Sequence, residues 1–347
     1  MKDRNLLKGK PAMGVPRPLS FCRYPSAEEV AEHGVQPLPA ILPHVDFERA
    51  RPHRSRRYTA VPASRLTAAQ VMRLAEVVGI SFAHREPQCR HLQPAKFLPQ
   101  GLREAVHIDP FGRSAFGPWS RENLLYWFIR LLVLTDATSP RSAIAVNDEA
   151  LSQSLAILDD TGDVIGGAIN EPMPPLGDPP SFRHGDPFLD AVLAFVEPVF
   201  ALLGAQDAES IKALSIAYPE FRGAHAAGEV GHHFMVARSD ALGKEDAFEL
   251  VAATAARYQA LRYAFMLIEA TNQWTGAACE ALGATQVHFA PFRAHRTVRQ
   301  SSEPLADTVS SPDGFLSSKD SGSMLYVIAN CSPAALGASH MPSRAES

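Results

Sequence analysis

The run from residue 229 to residue 289 constrains the fold more than any other part of the chain. It reads EVGHHFMVARSDALGKEDAFELVAATAARYQALRYAFMLIEATNQWTGAACEALGATQVHF. An apolar strand candidate is followed by a turn, an amphipathic helix, a second apolar strand, a short helix ending in Leu282-Gly283, and a third strand. Strand, crossover helix and strand in this order favour a sheet with helices against it. Where a helix starts from a Gly-containing turn beside a strand end, its free amides can hold a phosphate-bearing cofactor. Here that turn also carries Glu245 and Asp246, where such a cofactor would meet bare backbone.

The rest of the chain supplies the partners for this run. Residues 57–62 (RYTAVP) form a short strand candidate. From Ser64 on, Leu66, Val71, Leu74, Val77 and Val78 recur at helical steps, with Thr67 and Gln70 spaced as a capping box. That helix is expected to end near Gly79, and a second helical piece to cover residues 80–92. Ser120 is an N-cap candidate before the apolar LLYWFIRLLVL. Two apolar runs around Asp159-Asp160-Thr161-Gly162-Asp163 predict a hairpin over residues 155–170. A proline-rich loop over 172–187, helices over 190–203 and 207–214, a Ser/Asp/Gly-rich loop over 301–322 and a last strand over 322–330 complete the order. The hairpin makes part of the sheet antiparallel, so the expected class is α/β: a mixed, mostly antiparallel sheet flanked by helices.

At 347 residues the chain is long enough for one large domain with extensions or for two domains. The expected division is a basic, Pro-rich arm over 1–54, a domain over 55–332 and a disordered tail over 333–347. An apolar share of 46% with 20% charged residues suits a globular protein with a sizeable core. The net charge of -4 offers no general case for nucleic acid. Residues 1–60 nevertheless hold eleven Lys/Arg against six Asp/Glu, including Arg49, Arg51, Arg54, Arg56 and Arg57. That suits either a solvated arm or a docking patch for an anionic partner such as an acyl-carrier protein. The most apolar helix candidate is interrupted by Arg130 and too short to span a bilayer, so no membrane partner is expected. The N-terminus has no signal-peptide pattern, and Cys22, Cys89, Cys279 and Cys331 lack paired spacing. A reducing, cytoplasmic setting with free thiols is expected.

RYTAVPASRLTAAQVMRLAEVVGISFAHREP, ILDDTGDVIGGAIN and FMLIEATNQWTGAACEALGA together resemble the GNAT acyltransferase superfamily. Phe82-Ala83-His84-Arg85-Glu86-Pro87 further resembles the arylalkylamine and dopamine N-acetyltransferase branch. The resemblance covers about residues 55–300, and it implies a GNAT fold and a thioester co-substrate, acetyl-CoA or another acyl-CoA. It also implies pantetheine contacts from Met235, Val236 and Ala237 at the end of the fourth strand of the family's sheet, and from Asn272 after the fifth. Aligned on the helix, the pyrophosphate loop falls on Leu242, Glu245 and Ala247; shifted, it falls on Gly243 and Lys244 with Asp240 and Glu245 flanking. In both frames an acidic side chain meets the pyrophosphate, and like charges about 4 Å apart repel by roughly 1 kcal/mol in water.

Glu86 matches the glutamate that takes the proton from the amine in that branch; a carboxylate before a proline turn is its structural alternative. Cys279 stands where many members carry a proton-donating tyrosine, and is alternatively a small core residue. His232 and His233 are adjacent on a strand and so face opposite sides; His232 is an alternative base. Asn272 can also cap the following helix. His84, Cys89 and His91 match no standard zinc spacing, and no metal is expected. The reading is an N-acyltransferase moving an acyl group from acyl-CoA or acyl-carrier protein to a small amine. A non-catalytic binding protein of the same fold, and thioester hydrolysis or decarboxylation on that fold, remain open.

Overall fold

The computed structural model describes residues 34–45, 58–86, 89, 120–134, 148–173, 187–239, 242, 245–291 and 322–329. The strands are β1 (Gly34–Val35), β2 (Thr59–Pro62), β3 (Leu155–Leu158), β4 (Val164–Pro172), β5 (Val230–Arg238), β6 (Phe265–Ala270), β7 (Thr285–Pro291) and β8 (Gly322–Ala329). The helices are α1 (Ala68–Arg85), α2 (Arg121–Val133), α3 (Asp148–Gln153), α4 (Pro187–Ala217), α5 (Pro219–Ala226), α6 (Glu245–Ala260) and α7 (Gln273–Ala281). All eight strands form one sheet in the order β1-β7-β8-β6-β5-β4-β3-β2. Only β5 and β6 pair in parallel; every other pair is antiparallel. The expected mixed, mostly antiparallel class is the observed one, and the order and single parallel pair give a GNAT-like α/β fold.

The hairpin forms where its turn chemistry predicts it. Asp159 Oδ1 accepts from Thr161 N, Thr161 Oγ1 and Asp163 N at 3.0, 2.7 and 2.9 Å. Gly162 adopts φ +83°, which a side chain would resist. Ala156 then pairs with Gly167 and Ile157 with Gly166.

α1 begins with the predicted capping box: Thr67 Oγ1 accepts from Gln70 N and Gln70 Oε1 from Thr67 N. The helix does not stop at Gly79, as the sequence suggested, but runs to Arg85. Gly79 instead permits close crossing with α2, because a Cβ there would stand 2.7 Å from Tyr126 N. Glu86, at φ -71° and ψ 119°, ends the helix because a residue before proline is driven out of the α region. Ser120 caps α2 by accepting from Asn123 N. Arg130, buried in that apolar helix, lies 4.4 Å under the Trp127 ring and donates to Tyr126 Oη.

Two further boundaries differ from expectation. The pieces over 190–203 and 207–214 are one helix, α4. The helix runs on through Gly204-Ala205-Gln206, where Gln206 is buried and its Nε2 donates to Ser323 O on β8 at 2.9 Å. Residues 34–45 of the basic arm are held on the sheet: β1 pairs with β7, and Leu42 and Val45 are buried. The tail after 333 and the loop over 301–321 lie outside the described residues.

Helices cover both sheet faces. α1 packs on one face, where Leu74 meets Gly167, and α2 and α4 lie beside it. α6 and α7 take the other, with the Tyr258 ring so close over Gly231 that a Cβ there would stand 2.4 Å from it. Among the described residues no helix is long and apolar enough to cross a membrane.

Candidate functional site

The site grows from the place where the parallel pair comes apart. β5 is joined to β6 only from Val230 to His233, opposite Phe265 to Ile268. On its other edge β5 stays joined to β4 as far as Arg238. That ladder slips once: Ile169 pairs with Met235 and Asn170 with His233, so Phe234 is an extra residue. A bulge bends its strand and increases local twist, which turns β5 away from β6. Met235, Val236 and Ala237 lie beyond the bulge with β4 on one edge and, among the described residues, no strand on the other. Their backbone groups on that edge are available to an extended ligand.

The C-terminal end of β6 meets the end of α1. Thr271 Oγ1 donates to Glu86 Oε2 at 2.7 Å, and Glu86 is only 5% exposed. A turn-forming Glu-Pro and a strand end 185 residues away in sequence thus converge beside the splay. Asn272 caps α7, accepting from Trp274 N and Thr275 N at 3.1 and 3.0 Å. Its amide oxygen is committed to the helix, which leaves its NH2 for a ligand.

The two histidines separate as strand alternation requires. His233 Nδ1 lies 2.8 Å from Asn170 Oδ1, while Asn170 Nδ2 donates to Gln153 O. The asparagine oxygen is therefore the acceptor, and His233 carries its proton on Nδ1. Burial, with the charge of His232 second, pushes His233 down to about 3, so it is neutral near pH 7.

His232 points to the opposite face. Its Nδ1 is 3.1 Å from Glu171 Oε1 and its Nε2 is 2.5 Å from Glu269 Oε2. Burial opposes a charge on this ring, but Glu269, Glu171 and Asp207 outweigh it and hold His232 well above the usual histidine range. Asp207 comes from the middle of α4; burial first, then the charge of Glu269, raises its carboxyl well above the usual range. The carboxylates of Glu171, Asp207 and Glu269 were missed by the sequence reading. They sit on three elements without any shared spacing. The one local signal was Glu269, a charge inside the otherwise apolar strand FMLIEA.

Cys279 is fully buried among Met266, Ile268, Ala278 and Tyr326, and burial pushes its thiol far up. A thiol so raised is a weaker acid than pantetheine and does not readily protonate a departing pantetheine thiolate, which favours the packing reading. Gly243 and Lys244 lie outside the described residues. Glu245 is the first residue of α6, and Leu242 is buried with Ile157, Ile165 and Leu250. His84 faces Glu122 at 3.2 Å, Cys89 is buried as a free thiol, and His91 lies outside the described residues.

No family model matches the chain, and no curated protein matches it. Solved structures do. The C-terminal condensation domain of Ebony, in complex with beta-alanyl-dopamine, shares 13% identity over 78% of this chain and 98% of its own, with a TM-score of 0.45. A putative arylalkylamine N-acetyltransferase 7 from the yellow fever mosquito shares 10% over 78% and 87%, with a TM-score of 0.42. Arylalkylamine N-acetyltransferase 2 from Aedes aegypti shares 11% over 78% and 98%, with a TM-score of 0.39. At such values the fold stands on the chain's own strand order, bulge and splay.

Proposed function

We propose that the chain is a GNAT-type N-acyltransferase that moves an acyl group from a pantetheine thioester to a small amine. The observation that carries this is the meeting of Glu86 and Thr271 beside the gap between β5 and β6. The pantetheine arm lies along the free edge of Met235, Val236 and Ala237, with the Asn272 NH2 at its side. A backbone N–H on that edge polarises the thioester carbonyl as negative charge develops on its oxygen. Glu86 takes the proton of the incoming ammonium, held in line by the Thr271 hydroxyl. The amine nitrogen then bonds the carbonyl carbon and gives up its second proton as the C–S bond breaks; one of the two protons goes to the departing thiolate and the other to water. Cys279 takes no part in that transfer. The donor is acyl-CoA or an acyl-carrier protein; the acid at the start of α6 disfavours the pyrophosphate and leaves the carrier a use for the basic arm. The buried free thiols Cys89 and Cys279 fit a reducing, cytoplasmic setting.

The test is product formation from acetyl-CoA and carrier-bound acyl donors with a panel of small amines, in wild type and Glu86→Gln. The expected result is amide product with a loss of about 10²-fold or more in kcat/KM for the variant. Thiol release without amide would move the chain to thioester hydrolysis. An absence of both turnover and donor binding would leave a binding protein.

A further inference from the structure

Behind Thr271, on the same sheet face, the chain buries more acid than it neutralises. Glu171, Asp207 and Glu269 face one histidine, His232, and Asp207, His232 and Glu269 are 4%, 0% and 7% exposed. Among the described residues, both oxygens of Asp207 and Oε1 of Glu269 are buried with no donor, and the Asp207 and Glu269 carboxyls lie against each other. Buried polar atoms are rarely left so, and three such carboxyl oxygens in one place call for bound protons or a cation. His232 satisfies only Oε2 of Glu269 and Oε1 of Glu171. A single proton shared by Asp207 and Glu269 joins two oxygens and leaves the third bare.

We propose that Asp207, His232 and Glu269 form a binding site for one divalent transition-metal ion. Their ligand atoms lie within 4.8 Å of one another. Two atoms bound tetrahedrally to one ion at roughly 2.1 Å stand roughly 3.4 Å apart, so the three side chains must close by up to about 1.4 Å around the ion. The ion takes His232 Nε2, whose proton leaves to solvent, an oxygen of Asp207 and the Glu269 carboxylate, with Oε2 giving up its contact with the ring. His232 Nδ1 remains on Glu171, the carboxylate that orients a ligating imidazole and fixes its tautomer. Mixed imidazole and carboxylate donors suit Zn²⁺, Mn²⁺ or Fe²⁺ better than Ca²⁺ or Mg²⁺, which prefer oxygen alone. Such an ion ties α4 to β5 and β6 beneath the Glu86–Thr271 junction, and the inference stands whether or not the chain transfers acyl groups. It departs from the sequence expectation of no metal because the three ligands are brought together only by the fold.

The test uses the full chain, purified without a chelator or a histidine tag. Elemental analysis of wild type should find about one equivalent of Zn, Mn or Fe per chain. After dialysis against chelator the melting temperature should fall, and Zn²⁺ or Mn²⁺ should restore it saturably while Mg²⁺ does not. Asp207→Asn should lose the bound metal and the response to added metal. A metal-free wild type that melts alike with every ion, and an Asp207→Asn variant that melts no lower, would overturn the proposal. Stabilisation by a small diamine and by no metal would overturn it too, assigning the carboxylates to an organic ammonium. Should Asp207→Asn fail to fold, metal content and titration of the wild type decide alone.

Discussion

Adding one methyl at Gly79 tests the link from helix packing to the reacting groups. The new Cβ would stand 2.7 Å from Tyr126 N, 2.9 Å from Tyr126 Cα and 3.1 Å from Leu125 C. All three are backbone atoms of α2, which cannot swing aside as a side chain could. Ordinary contact at about 3.4 Å requires the two helices to part by about 0.7 Å. Alanine favours a helix over glycine by about 1 kcal/mol, whereas forced overpacking costs about 1–3 kcal/mol. The overpacking wins, because Val71, Leu74, Ala75 and Val78 on α1 and Leu124, Leu125 and Phe128 on α2 all lose contact when the seam opens. Gly79→Ala should therefore lower the melting temperature by several degrees, and Gly79→Val by more, as thermal unfolding followed by circular dichroism would read. Glu86 lies two turns further along the same helix, roughly 10 Å away, and moves with it. A misplacement near 1 Å can cost about 10²-fold in rate, so a shift of this size should lower kcat about tenfold or more with KM little changed. An alanine variant that melts higher than wild type by the full propensity gain, at unchanged turnover, would refute the close crossing and its coupling to Glu86.

Thr271→Val keeps the shape but removes the hydroxyl held by Glu86; kcat should fall about tenfold, since hydrogen bonds to charged groups are worth about 1.5–3 kcal/mol, with KM for the donor unchanged. Tyr258→Phe strips the donor shared by Glu171 O and His232 O, and chemical denaturation should report a loss of about 1–3 kcal/mol. The hydrogen bond from Thr161 and the amides of Asp163, Thr161 and Gly162 hold the Asp159 pKa below its unfolded value, so the turn's contribution is present above that value and lost as pH falls through the folded one. Asp159→Ala should then lower the melting temperature at neutral pH and flatten its decline in acid. Glu245→Gly should tighten free CoA by about tenfold, equivalent to about 1–2 kcal/mol from lost repulsion and an exposed helix amide. Calorimetry that finds CoA tight and equal in both proteins would remove the acid from the pyrophosphate path.

The sheet was legible wherever local chemistry repeats what tertiary structure does. The Asp159–Asp163 turn, the Thr67 and Ser120 caps and the alternation after Glu229 each have a short-range cause, and each stands where the sequence put it. The reading went astray where one residue type serves two purposes. Gly79 was read as a helix end because glycine commonly follows helices, but it serves a crossing. Two helices were expected over 190–203 and 207–214, but Gly204-Ala205-Gln206 continues one helix, with Gln206 buried and bonded to Ser323 O on β8.

The site divided along the same line. Glu86 was visible because Glu-Pro is a local signature, but its partner Thr271 is set by where α1 ends against β6, and no spacing encodes that. His232 drew notice as a titratable residue inside an apolar strand. What fixes its state is Glu171 one strand away, Glu269 on the other neighbour and Asp207 from a helix above. Glu171 and Asp207, seen alone, are ordinary residues of ordinary elements, and only Glu269 stands out, in an apolar strand. Only after the strands pair do their burial and missing donors become a charge imbalance, and that imbalance makes metal content the measurement most worth taking beside the acyl-transfer assay. The two assays address adjacent halves of one sheet face. In the proposed function the β5–β6 splay and Glu86 serve a thioester and an amine without the acids behind them. The acids, conversely, need bound protons or a cation whether or not a thioester ever binds.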